Sequence, residues 1–143
     1  MIGSLLSGRR PRHLGVRDGK LAACPFSPNC VSSDARDFGH AVAPIRLDAP
    51  PSEAWQAAHD CVRALPRTEL VAESEGYLHA ECRSALLGFV DDLELHLRPD
   101  EGVIAVRSAS RLGFSDLGVN RARVEDLRDA LCARGVALPS EET

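Results

Sequence analysis

Apolar residues recur along this chain with two different periods, and the switches between them mark out its elements. Trp55, Ala58, Val62 and Leu65 stand at helical spacing and form one stripe that ends before Pro66. Asp48-Ala49-Pro50-Pro51-Ser52 opens that helix, with Asp48 as a capping-type residue and prolines suited to a first turn. Four alternating stretches follow, at about Thr68–Ser74, Tyr77–Ala85, Phe89–Leu97 and Val103–Arg111, and each predicts a strand. Arg98-Pro99-Asp100-Glu101-Gly102 is a tight-turn signature, in which proline fixes φ and glycine accepts a positive φ. Val124, Leu127 and Leu131 predict a last helix over about Arg121–Arg134, with Asn120 as N-cap and Gly135 as its stop. Ala41–Leu47 reads as a short strand that Pro44 holds to a sheet edge or strand end.

The order β-α-β-β-β-β-α implies an α+β domain: an antiparallel sheet of about five strands with both helices packed on one face. Residues 1–40 follow neither period. Residues 1–13 are expected to be mobile and 14–40 to form an irregular strap over a single domain spanning 14–138. A tail of 139–143 follows.

Strand parity separates a greasy face from a polar one. With Pro99–Gly102 as the hairpin loop, Leu97 opposes Ile104, Leu95 opposes Val106 and Leu93 opposes Ser108, a face ready for the helices. The other face sets Glu94 against Arg107 and His96 against Ala105, with Asp92 beside Ala109. A preceding hairpin turning at Leu87-Gly88 adds His79, Glu81 and Arg83 to the polar face, with Glu81 across from Glu94, His79 across from His96 and Arg83 across from Asp92. Cross-strand ion pairs on a solvated face explain much of this pattern. Glu81 against Glu94 is the exception, because two carboxylates repel unless Arg107, a metal or a proton lies between them. Asp91 and Ser110, opposed near the end of the apolar face, point to a hydrogen-bonded cluster reaching into the domain.

Composition changes this picture little. A formal charge of −4 gives no case for nucleic acid or a membrane surface, and no run approaches the length of a membrane span. The start lacks the pattern of a signal peptide, so the chain as written reads as cytoplasmic, and as exported only if the N-terminus is incomplete. Cys61, Cys82 and Cys132 fall at or near apolar positions and read as small buried hydrophobes. Cys24 and Cys30, in Cys24-Pro25-Phe26-Ser27-Pro28-Asn29-Cys30, leave three states open: packed free thiols, a local disulfide, or zinc with help from His13 or His40.

The chemistry concentrates between Val106 and Arg123. Arg121 and Arg123 lie in a helix first turn, where the dipole already presents positive charge, so a negative partner is needed. That partner is either an internal carboxylate (Asp91, Asp92 or Asp116) or a bound phosphate, sulfate or carboxylate.

Four motifs in order resemble the domain-of-unknown-function 1499 family: Cys24 through Ser33, Tyr77 through Glu81, Phe89 through Glu94, and Val106 through Arg123. The resemblance covers about residues 12–134. It implies a site at Cys24, Cys30, Glu81, Asp91, Asp92, Glu94, Arg107, Ser108, Ser110, Arg111, Asp116, Asn120, Arg121 and Arg123, and it implies no reaction. The leading expectation is a module that binds a small anionic or zwitterionic ligand, needing no cofactor and no metal. Arg107, Arg111, Arg121 and Arg123 would hold the anion, while Glu81, Asp92 and Glu94 orient donors. One alternative is a small hydrolase or isomerase using Glu81 and Glu94 as acid and base, though neither Ser110 nor Cys24 has an assigned partner that would activate it. A protein-interaction role for the polar face is the other. Composition and pattern do not speak to oligomeric state.

Overall fold

The computed structural model describes residues 8–85, 88–113 and 117–140. Its centre is the hairpin of β7 (Val90–Arg98) and β8 (Val103–Ser110). The pairing runs from Asp91↔Ser110 to Arg98↔Val103, the register that the apolar pattern predicts. A 3-10 turn at Pro99–Glu101 closes it, with Gly102 at φ 67° donating its N–H to Pro99 O. β6 (Tyr77–Arg83) lies on the far side of β7 and β5 (Thr68–Ser74) beyond it.

The β6–β7 register differs by two residues from the expected one. Glu81 opposes Asp92, His79 opposes Glu94, and Arg83 opposes Val90. A two-residue slip keeps every side chain on its face, so alternation cannot detect it; only the turn decides. Here Ser84 N donates to Phe89 O, which leaves Ala85–Gly88 as the connection, and Leu87 lies outside the described residues.

Six strands form the sheet rather than about five, because the strap itself supplies β3 (Cys30–Ser32). β3 and then β4 (Ile45–Arg46) pair along the outer side of β8. β4 is shorter than the predicted Ala41–Leu47, whose ends contribute only isolated bridges. Two further short strands, β1 (Val16–Arg17) and β2 (Lys20–Leu21), make a separate hairpin within the strap.

Helices α1 (Pro51–Ala64) and α2 (Val119–Ala133) cover one face of the sheet. Ala58, Cys61 and Val62 of α1 and Val124, Leu127 and Leu131 of α2 meet Leu78, Leu93, Leu95, Ile104 and Val106 in one core. Each fully buried aliphatic side chain there contributes about 2 kcal/mol relative to exposure. Neither predicted N-cap is used. α1 starts after Pro50 with no side-chain cap, and α2 starts after Gly118 at φ 83°, which puts Asn120 inside the helix. Gly135 ends α2 at φ 75°, as expected. Among the described residues no helix is long and apolar enough to cross a membrane.

Candidate functional site

Alternation along β7 and β8 sorts the predicted site residues into two clusters on opposite faces of the sheet. Asp91, Ser108, Ser110, Asn120 and Arg123 meet on the helix face. Glu81, Asp92, Glu94, Arg107 and Arg111 meet on the other, beneath the strap. Asp116 lies outside the described residues.

On the helix face Asn120 is a fully buried hub. Its Oδ1 accepts from Ser108 Oγ at 2.7 Å and from Arg123 Nη1 at 2.8 Å, while its Nδ2 donates to Ser110 Oγ at 2.9 Å and to Asn29 O at 3.2 Å. Arg123 also reaches Asp91 Oδ2 at 2.8 Å. The unfavourable cation in the first helical turn thus has an internal partner, and a buried polar group of each kind is satisfied. Arg121 belongs to neither cluster. It is exposed and donates to Ala41 O and Gly39 O, so the four arginines do not converge on one anion.

The strap turns the other face from a solvated surface into an interior. His79, Glu81, Asp92, Glu94 and Arg107 are all buried. Gly15 N donates to Glu94 Oε2 at 2.8 Å, and Arg10 Nε donates to Glu81 at 2.7 Å. Asp34 fastens the strap from its side, bound through both oxygens by Arg98 at 2.8 and 2.7 Å and accepting from Leu21 N.

Arg111 is the central cation of this cluster. It donates to both oxygens of Asp92 at 2.8 Å and to Glu81 Oε2, while His79 Nε2 lies 2.6 Å from Asp92 Oδ1. Burial opposes ionisation of Asp92 and Glu81, yet their bonds to Arg111, with His79 for Asp92 and Arg10 for Glu81, outweigh it and hold both carboxyls below their ordinary values. Glu81 opposes Asp92 rather than Glu94, and its carboxyl, held below its ordinary value, is not the raised acid that acid–base chemistry would ask of it. His79, Glu81 and Asp92 present donor atoms within 4.8 Å of one another, a spacing that suits a metal ion. The guanidinium of Arg111 already bonds both carboxylates, as a cation there would.

Arg107 is less well served. It is 1% exposed, yet its bonds are long: 3.4 Å to Glu94 Oε1, 3.2 Å to Ala23 O and 3.5 Å to His13 Nε2. Its Nε has no partner, alone in that respect among buried side-chain polar atoms of the described residues. Burial pulls its pKa down against the attraction of Glu94 and Asp92. Arg107 lines a cavity of about 280 Å³ between sheet and strap, walled by His13, Ala23, Cys24, Pro25 and Arg111. Cys24 and Cys30 are joined as a disulfide with Cα atoms 5.7 Å apart, so the strap segment that walls the cavity is tied to β3.

The family model "Protein of unknown function (DUF1499)" matches residues 20–131, from within the strap to the last turn of α2. The chain belongs to this family. No curated protein and no solved structure matches it. The DUF1499 match spans the disulfide and the sheet and helix residues of both clusters, whereas Arg10, His13 and Gly15, which complete the strap-face cluster, precede it.

Sequence reasoning missed Tyr77, whose hydroxyl donates to Glu94 Oε2 at 2.6 Å. Parity was the available signal, since residues 77, 79 and 81 share a face. No pattern pointed to Gly15 N or Ala23 O, because a backbone group from an irregular strap leaves no trace in residue type.

Proposed function

We propose that the strap-face cavity binds a small anion or zwitterion through a carboxylate or other oxyanion group, with Arg107 as its anchor. The unpartnered Nε of a guanidinium that is 1% exposed carries this reading. A buried donor without an acceptor costs roughly 1–3 kcal/mol, and more when charged, so an oxygen brought to Arg107 recovers stabilisation that folding leaves unmet. The charge count favours a zwitterion over an anion. Arg10, Arg107 and Arg111 are matched by Glu81, Asp92 and Glu94, so a net ligand charge has no counterpart. A volume of about 280 Å³ suits a small molecule and lies at the lower end for ligand pockets.

The test is thermal unfolding with acetate, phosphate, glycine and β-alanine. A ligand at a hundred times its dissociation constant raises stability by about 2.7 kcal/mol. Arg107→Lys keeps a cation beside Glu94 but deletes the Nε–H, and it is expected to stay folded while losing the ligand-induced rise. No stabilisation of the wild-type protein by any of the four, or an equal rise in the variant, overturns the proposal.

A further inference from the structure

The opposite face of the sheet ends in a second cavity, of about 410 Å³, beside the start of α2. Phe89, Leu112 and Val119 line it and are 36%, 41% and 48% exposed. One exposed leucine needs no explanation, but three large apolar side chains around one opening form a patch of the kind that marks a binding surface. The cavity is larger than the one at Arg107.

Its charge is one-sided. Among the described lining residues Asp91 is the single carboxylate, and Arg123 holds it at 2.8 Å. Arg67 and Arg83 remain, two uncompensated cations in a chain of formal charge −4. Glu69 and Asp126 stand on adjoining surface, and neither is ion-paired to these arginines among the described residues.

Two hydrogen bonds hold these residues side by side. Arg83 N donates to Arg67 O, and Arg67 Nε donates to Arg83 O, both at 3.0 Å. Arg67 takes φ 49°, a left-handed conformation that a side-chain-bearing residue adopts at an energetic cost and that tertiary bonds must maintain. The result is a pair of exposed guanidinium groups at the rim of an apolar-walled cavity.

We propose that this cavity is a second ligand site, for an amphiphile with a carboxylate head and a single acyl chain of moderate length. Arg83 and Arg67 hold the carboxylate, and the chain lies against Phe89, Leu112 and Val119. Ion pairing sets the head at the rim, and removal of apolar surface from water supplies the affinity. This inference does not depend on ligand binding at Arg107.

Titration calorimetry and amide NMR shifts with acetate, hexanoate, octanoate and octanol, each below any micelle-forming concentration, test it. Octanoate is expected to bind at least tenfold more tightly than acetate or octanol, with shifts centred on Phe89, Leu112 and Val119. Arg83→Glu and Leu112→Asp both change exposed side chains, and each is expected to weaken octanoate at least tenfold without loss of fold. Arg107→Lys is expected to leave octanoate binding unchanged, which separates this site from the other. Absence of octanoate binding, equal binding of acetate or octanol, or undiminished binding by Arg83→Glu overturns the proposal.

Discussion

Asp91 and Asp92 are neighbours on β7 and hold arginines on opposite sides of the sheet. Asp91 binds Arg123 of α2 at 2.8 Å, and Asp92 binds Arg111 at 2.8 Å beneath the strap. The pair is the hinge of the site's organisation, since successive residues of a strand face opposite ways.

Removing either arginine takes the guanidinium partner from a buried carboxylate. Arg111→Ala and Arg123→Ala are each expected to lower stability by about 3–5 kcal/mol, because a buried ion pair is broken from one side. Arg121→Ala removes only exposed bonds to two loop carbonyls and is expected to cost under about 1 kcal/mol. Urea unfolding of the three variants measures the contrast; equal losses in all three contradict it.

Acid should unfold the protein through the same cluster. Asp92 and Glu81 have folded pKa values below their ordinary 3.8 and 4.5. A carboxyl so depressed binds fewer protons folded than unfolded, so its contribution is complete above the ordinary values and is lost as pH falls through the folded ones. Melting temperature is therefore expected to hold from pH 7 to about 5 and then drop. Asp92→Asn should flatten that drop; a profile as steep in the variant as in the wild type would assign it to other groups.

The Cys24–Cys30 disulfide closes a short loop on the wall of the Arg107 cavity. Loop entropy assigns such a crosslink about 2 kcal/mol. Dithiothreitol is expected to lower the melting temperature of the wild-type protein and to speed amide exchange at residues 21–30, while leaving Cys24→Ser unaffected. Exchange in the strap that ignores reductant counts against a role for the crosslink in holding it down.

Asn120→Ala tests the hub on the helix face. The substitution leaves the Ser108 hydroxyl, Asn29 O and Arg123 each short of one bond, for an expected loss of about 1–3 kcal/mol. Asn120→Asp is expected to do no better, since it keeps the acceptor but deletes the Nδ2 donors to Ser110 and Asn29. Were Asn120 a helix cap instead, aspartate would substitute well, because both residues cap helices effectively.

Hydrophobic period alone determined the order of elements after the strap, the two helical stripes and the face on which each β7 and β8 side chain lies. Burying one face is worth many leucines, and a one-residue slip would expose them all, so parity is strongly encoded. The β6–β7 register was not legible, because Glu81 opposite Asp92 and Glu81 opposite Glu94 bury the same apolar set. Nor was the fate of the polar face. Charge pairs suited to solvent and charge pairs suited to an interior look alike in sequence; the strap decides between them by laying Gly15 N on Glu94 and Ala23 O on Arg107. Those partners are backbone groups, identical in every residue, so only the path of the chain through space placed them there.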